Sequence, residues 1–128
     1  MSAPWTPAPV SPVPTIKSEA DLERLLAEEP SRPVLIFKHS TTCPISAAAY
    51  RRFQDAVAAG DLVGVQPILV RVIEERPLSQ AIAKRWAVPH ASPQALLVRG
   101  PHVVWQASHE RITREALAMA ARSVAPPA

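Results

Sequence analysis

A short apolar strand, a polar loop, a cysteine and a helix that begins with proline follow one another within residues 33–60, and this order constrains the fold most. The run Pro33–Lys38 is apolar, is bounded by turn residues and predicts a strand buried on both faces, as in a parallel sheet. Cys43 then precedes Pro44, and proline is favoured at the first position of a helix. Gly60 is typical of the residue at which such a helix stops. The predicted helix has an apolar face made of Ile45, Ala49, Tyr50, Phe53 and Val57.

The rest of the chain continues the same alternation of short strands and amphipathic helices. The patterns predict helices over about residues 19–29, 78–86 and 113–122, and strands over about residues 67–72, 94–99 and 102–106. Ser18, with an acidic residue three positions later, is typical of a helix start. The Gly100–Pro101 turn joins the last two strands into a hairpin. The resulting order of elements predicts an α/β sandwich with a mixed central sheet flanked by helices.

The 128 residues fit one ordinary domain, but the 15 prolines are unevenly distributed. Five of them lie in the first fourteen residues, where they predict a stiff, polyproline-like tail. We therefore expect a disordered tail over residues 1–15 that adds nothing to the core. The domain then extends over residues 16–123, and residues 124–128 form a disordered C-terminus.

Charge and hydropathy exclude several classes of function. The formal net charge is only +3 and the arginines are scattered, which argues against a nucleic-acid partner. The N-terminal residues lack the pattern of a signal peptide, and no apolar stretch approaches the roughly 20 residues that span a bilayer. We therefore expect a soluble, cytoplasmic protein that contacts no membrane. The chain has four histidines, and their spacing is not that of metal ligands, so we expect no metal site. They are His39, His90, His102 and His109.

Cys43 is the single cysteine and the candidate catalytic residue. Its predicted position at a helix N-terminus places it near unpaired N–H groups and the positive end of the helix dipole, which stabilise a thiolate. A thiolate is the nucleophile of thiol–disulfide exchange. Ser46 stands where a C-x-x-C motif has its second thiol, and a serine can donate a hydrogen bond to a thiolate but cannot form a disulfide. A thiol from outside must therefore resolve any mixed disulfide on Cys43.

Other chemistries remain open at this point. An inert, buried cysteine is the structural alternative, although such a residue does not need a helix N-terminus. His39 is a candidate base for Cys43, but no asparagine or aspartate that would orient it is identifiable, which argues against hydrolase chemistry.

Two segments resemble a known family. The run Phe37–Ser46, F-K-H-S-T-T-C-P-I-S, resembles the T-C-P-I-S motif of the monothiol bacilliredoxins, which are thioredoxin-fold proteins of bacteria that use bacillithiol. The run Val88–Gln94, V-P-H-A-S-P-Q, resembles the loop that carries the cis-proline of that fold. The resemblance extends over about residues 16–122. It implies a thioredoxin-like three-layer sandwich in which Pro93, in the cis state, faces Cys43.

The resemblance also implies an activity, the removal of bacillithiol from proteins. In that reaction the Cys43 thiolate attacks a protein–bacillithiol mixed disulfide and takes the bacillithiol, and the target protein leaves reduced. Bacillithiol is a co-substrate and no cofactor is bound. The implied partners are bacillithiolated proteins, free bacillithiol and a bacillithiol disulfide reductase that helps to regenerate Cys43. The implied substrate-binding residues are Thr42, Pro44, Ser46, Ser92 and Pro93, with the backbone of Ser92 pairing with an extended substrate.

Two other functions fit the same fold. The first is a non-catalytic redox sensor or adaptor whose cysteine is capped by bacillithiol. The second is an iron–sulfur carrier of the monothiol glutaredoxin kind, in which a cluster bridges two copies through Cys43. The motif of those carriers is C-G-F-S, and the proline at position 44 in place of glycine argues against this alternative.

Overall fold

The structure is a computed structural model, and it describes residues 13–124. Four strands and four helices follow one another in the predicted order, and a 3₁₀ turn among the described residues, His109–Arg111, was not expected. The strands are β1 (Val34–His39), β2 (Gln66–Arg71), β3 (Gln94–Arg99) and β4 (His102–Ser108). The helices are α1 (Glu19–Glu28), α2 (Pro44–Ala58), α3 (Arg76–Arg85) and α4 (Arg114–Val124).

The four strands form one mixed sheet in the order β2-β1-β3-β4. β1 pairs with β2 in parallel and with β3 in antiparallel orientation, and β3 and β4 form the predicted antiparallel hairpin. Every residue of β1 is buried, because this central strand has neighbours on both edges and helices on both faces. The predicted three-layer α/β sandwich with a mixed central sheet is therefore confirmed.

The two faces of the sheet carry two separate apolar clusters. The side chains of a strand alternate between faces, so Leu35 and Phe37 lie on one face of β1 and Val34 and Ile36 on the other. The first face packs against α2 and α4, and the second packs against α1 and α3. Phe37 stacks on Phe53 of α2 with ring centroids 4.8 Å apart. This stacking anchors α2 to the strand that precedes it.

The sheet begins earlier than the sequence predicts. Thr15 forms a parallel bridge with Leu69 of β2, the N–H of Leu69 donates to the carbonyl of Pro14, and the N–H of Ile16 donates to the carbonyl of Leu69. Val13 packs against the first cluster. Residues 13–15 are therefore part of the domain and not of a tail without core contacts, because a proline carbonyl still accepts a hydrogen bond from a sheet edge.

The other end of the domain also extends beyond the predicted boundary. Helix α4 continues to Val124, which is buried against the first cluster. The remaining parts of the two predicted disordered ends, residues 1–12 and 125–128, lie outside the described residues. Within residues 13–124, no helix has the length and apolar character that crossing a membrane requires.

Candidate active site

Cys43 is the N-cap residue of α2, directly after the loop that leaves β1. Its backbone is extended, with φ −107° and ψ 122°, and Pro44 occupies the first helical position. The carbonyl of Cys43 accepts the N–H of Ala47 at 2.9 Å, which starts the helix, and its N–H donates to the carbonyl of Ser40 at 3.3 Å. The side chain is half-buried and makes no capping hydrogen bond. The sulfur therefore lies at the amino end of α2, as the strand–cysteine–proline order predicts.

Ser46 is fully buried, and its hydroxyl already has two partners. The oxygen accepts the backbone N–H of Ser40 at 2.9 Å and lies 2.7 Å from Nδ1 of His39. These contacts join the first turn of α2 to the loop that leads to Cys43. The substrate-binding role implied for Ser46 conflicts with this burial, because a residue without exposed surface cannot contact a substrate directly. Its position supports the loop from beneath.

The imidazole of His39 belongs to an aromatic group under the same loop. It stacks on the ring of Tyr50, with centroids 4.5 Å apart, and its centroid is 6.2 Å from that of Phe37. Burial lowers the pKa of His39, and the nearby carboxylate of Glu74 opposes this effect in part. A neutral imidazole is therefore favoured in the folded protein near neutral pH. The contact of its Nδ1 with the hydroxyl of Ser46 holds that serine in place.

A second loop reaches the same edge of the sheet. Lys38 of β1 pairs with Gln94 of β3, and the two strands are antiparallel, so the chain enters β3 at the edge where β1 ends. The Ser92–Pro93 peptide bond is cis. Pro93 is buried, and its carbonyl accepts the N–H of His109 at 3.1 Å. The loop with this bond and the loop with Cys43 therefore share one end of the sheet.

The surface around the sulfur is built from residues on the exposed side of the first loop. Thr42 and Pro44 flank Cys43 and are both exposed. Ile45, which the sequence assigned to the buried face of the helix, is 56% exposed, although Ser46 in the same turn is fully buried. Ser92 is half-buried. Of the residues implied to contact substrate, those with exposed surface beside the sulfur are Thr42 and Pro44.

Sequence reasoning did not identify a buried polar cluster beneath this edge. Lys38 is fully buried on the face of β1 opposite to His39, and its Nζ donates to the carbonyl of Ser79 at 3.0 Å. The same Nζ lies 3.3 Å from Nδ1 of His90, in the loop before Pro93. Burial lowers the pKa of Lys38 to about 8. A lysine within an otherwise apolar run was the one signal of this cluster in the sequence.

The part of the chain that the structure describes brings no three His, Cys, Asp or Glu side chains into a group that could hold a metal ion. The four histidines are distributed over different elements: His39 ends β1, His90 lies in the loop before β3, His102 begins β4 and His109 begins the 3₁₀ turn.

Comparison with known proteins identifies the family. A family model described as monothiol bacilliredoxin BrxC matches residues 14–117. The chain belongs to the monothiol bacilliredoxin family. This match includes both segments on which the resemblance rested, the T-C-P-I-S motif with Cys43 and the loop with Pro93.

Solved structures agree with this membership of the bacilliredoxin family. A candidate oxidoreductase with a thioredoxin fold is 35% identical, with a TM-score of 0.75 over 84% of this chain and 92% of that chain. The thioredoxin of Malassezia sympodialis is 16% identical, with a TM-score of 0.73 over 94% and 98% of the two chains. The thioredoxin of Fasciola hepatica is 17% identical, with a TM-score of 0.69 over 88% and 100%. The two thioredoxins show the fold alone. The bacilliredoxin membership and the 35% identical oxidoreductase support a thiol oxidoreductase.

Proposed function

We propose that this bacilliredoxin removes bacillithiol from protein mixed disulfides through the thiolate of Cys43. The observation that supports this most is the position of the chain's single cysteine at the N-cap of α2, half-buried and without a capping hydrogen bond. A helix N-terminus favours an anion, and the thiolate is the reactive form in disulfide exchange. The sequence contains no second cysteine that could resolve an adduct on Cys43.

The proposed reaction has two exchange steps. The Cys43 thiolate attacks the bacillithiol sulfur of the mixed disulfide, a new disulfide forms between Cys43 and bacillithiol, and the protein cysteine leaves as a thiolate that takes a proton from water. A second bacillithiol thiolate then attacks this bacillithiol sulfur, which releases bacillithiol disulfide and restores the Cys43 thiolate. A bacillithiol disulfide reductase returns the disulfide to two thiols with two electrons from its own electron donor and two protons. No bound cofactor takes part in the proposed cycle.

The two loops at this end of the sheet supply the proposed substrate contacts. Thr42 and Pro44 are exposed on either side of Cys43. The backbone of Ser92, before the cis bond to Pro93, is the proposed partner of an extended substrate chain. Ser46 acts from beneath through its contacts with His39 and Ser40. Because the cycle needs a reduced thiol, we assign it to the cytoplasm.

The test uses a purified bacillithiolated protein, with the Cys43→Ser variant and alkylated wild-type protein as controls. We expect bacillithiol to move onto the wild-type protein, seen as a mass increase, while the target regains its free thiol. Added bacillithiol should then remove the adduct and give multiple turnovers. Both controls should leave the target modified. Failure of the wild-type protein to release the target thiol would contradict the proposal.

The same assay tests the first alternative, and an absorbance spectrum of the purified protein tests the second. A redox sensor or adaptor would accept bacillithiol on Cys43 from bacillithiol disulfide, but it would not restore the free thiol of a bacillithiolated target protein. An iron–sulfur carrier would show the absorbance of a cluster on a dimer, and this absorbance would disappear in Cys43→Ser.

A further inference from the structure

The loop over residues 88–93, which contains the cis peptide bond, is fixed to the domain at both of its ends. At its start, the N–H of Val88 donates to the carbonyl of Ala83 in α3 at 3.0 Å. At its end, the carbonyl of Pro93 accepts the N–H of His109 at 3.1 Å. These two hydrogen bonds tie the loop to α3 on one side and to the residue that follows β4 on the other.

The middle of this loop lacks such backbone contacts. Within the part of the chain that the structure describes, the backbone groups of residues 90–92 form no hydrogen bond. The hydroxyl of Ser92 is buried and has no partner there either. Among the described residues, the side chain of this stretch that hydrogen-bonds to the rest of the domain is that of His90. The position of Ser92, whose backbone is the proposed partner of a substrate chain, therefore depends on what holds His90.

His90 contacts Lys38 of β1 and Ser79 of α3. Its Nδ1 lies 3.3 Å from Nζ of Lys38 and 3.3 Å from the hydroxyl oxygen of Ser79. An ammonium group has only donors, so Nδ1 accepts from Lys38, and the imidazole is neutral with its proton on Nε2. Burial and the charge of Lys38 both lower the pKa of His90, which favours the same neutral form. The contact therefore has fixed roles, with Lys38 as the donor and His90 as the acceptor.

Lys38 is itself held firmly in the core. It is fully buried, and its Nζ also donates to the carbonyl of Ser79 at 3.0 Å. Within residues 13–124 no carboxylate forms an ion pair with it. A buried ammonium without a counterion destabilises a fold, and an apolar side chain of similar size would fill the position at lower cost. Local costs of this kind are typical of residues that serve a functional site.

We propose that Lys38 and His90 are positioning residues for the substrate. Their contact fixes the middle of the loop, and the backbone of Ser92 is thereby held in place to pair with an extended peptide chain. The inference rests on the proposed function and adds to it two residues that touch neither the substrate nor the reacting sulfur atoms. Without the contact, the loop spends less time in this position, and the apparent affinity for a peptide falls in proportion.

The test compares two bacillithiol mixed disulfides, one with a cysteine in the middle of a short peptide and one with N-acetylcysteamine, which has no flanking chain. In both, the Cys43 thiolate attacks the bacillithiol sulfur, a disulfide forms between Cys43 and bacillithiol, and the other half leaves as a thiolate. Added bacillithiol then attacks the bacillithiol sulfur of the adduct, releases bacillithiol disulfide and restores the Cys43 thiolate. Chromatography of the released peptide or N-acetylcysteamine gives kcat and KM, after subtraction of the uncatalysed reaction.

We expect His90→Leu to raise the KM for the peptide roughly tenfold, the scale of one hydrogen bond to a charged group. Its kcat, and both constants for N-acetylcysteamine, should stay unchanged. His90→Asn should restore the KM of the wild type, because Oδ1 of asparagine can accept from Lys38 in place of Nδ1. His90 is exposed, so both variants should fold. The matched control is His102→Leu, which replaces an exposed histidine at the opposite end of the sheet and should leave both substrates unaffected.

A second arm tests whether the two residues act through one contact. Lys38→Met should also raise the KM for the peptide. The double variant with His90→Leu should show no larger rise than His90→Leu alone, because either change removes the same contact. Effects that multiply in the double variant would show independent roles and would overturn the inference.

An unchanged peptide KM in His90→Leu would overturn the positioning role and leave the proposed function standing. Equal rises in His90→Leu and His90→Asn would overturn it as well, because the acceptor for Lys38 would then not be what matters. A fall in kcat that is equal for both substrates would indicate a loss of folded protein and would also contradict the inference. If the wild-type protein turns over neither substrate, the proposed function fails, and this inference fails with it.

Discussion

The hydroxyl oxygen of Ser46 lies 2.7 Å from Nδ1 of His39, beneath the loop that carries Cys43. The same oxygen accepts the N–H of Ser40 at 2.9 Å. Ser46 occupies the position where a C-x-x-C motif has its second thiol, but here it joins the last residue of β1 to the first turn of α2. The serine therefore has a structural role in holding the Cys43 loop, in addition to excluding a self-resolving disulfide.

Ser46→Ala should destabilise the protein by about 1–3 kcal/mol, because it leaves the buried Nδ1 of His39 and the N–H of Ser40 without a partner. Urea unfolding gives the free energy of unfolding for this comparison. Ser123→Ala is the matched control, since Ser123 is exposed and its hydroxyl bonds only the carbonyl of Ala120 within its own helix. Equal losses in the two variants would contradict the structural role of Ser46.

His39 should make the folded state sensitive to acid. Burial lowers its pKa in the folded protein below the usual 6.5. The unfolded state then binds a proton at a higher pH than the folded state does, so stability is lost as pH falls below about 6.5. We expect the free energy of unfolding to fall more between about pH 7.5 and about pH 5.5 in the wild type than in His39→Phe. Every other titratable group is common to both proteins, and parallel pH profiles would rule out this contribution.

The sequence was sufficient to predict a secondary-structure element wherever the pattern that specifies it lies within neighbouring residues. The apolar run of β1, the proline at position 44 and the Gly100–Pro101 turn each predict their element from neighbouring residues alone. The alternation of a strand also indicates that Lys38 and His39 point to opposite faces. It does not indicate what each side chain contacts there, because Ser79 lies on a helix 41 residues away and the contact of His39 with Tyr50 depends on how α2 packs on the sheet.

The short strand pairing at the edge of the sheet could not be predicted from the sequence either. Thr15 joins β2 through a single bridge, and three residues in a proline-rich stretch carry no periodicity that would predict it. The exposure of Ile45, in a turn whose next residue Ser46 is fully buried, was likewise not predicted from the apolar pattern of the helix. These features follow from the assembly of the layers, which the order of elements predicts only in outline.

Lys38 should produce a pH dependence of the same sign as that of His39, but in a higher pH range, because burial lowers both pKa values. Burial lowers its pKa from 10.5 to about 8, so the folded state loses its proton first as pH rises. The unfolded state holds more protons between these values, and stability therefore increases over this range. We expect a gain on the order of 2 kcal/mol between about pH 7 and about pH 9.5, measured against Lys38→Met. Equal gains in both proteins would show that Lys38 is not the source.

Ser46→Cys should convert this monothiol protein into a dithiol one. Residues three apart at a helix start lie on one face, so the introduced thiol can attack the Cys43 sulfur of a mixed disulfide and expel the small thiol as a thiolate. The product is an internal disulfide, which lowers the mass by two hydrogens relative to the reduced variant and protects both sulfurs from alkylation. In the wild type the mixed disulfide should persist until an external thiol is added, because no other cysteine is present. Ala48→Cys is the matched control: Ala48 is exposed and lies five residues after Cys43, on a different face of α2, so its adduct should persist as in the wild type. An adduct of equal lifetime in Ser46→Cys would contradict the prediction and would mean that the contacts made from position 46 keep its side chain away from Cys43.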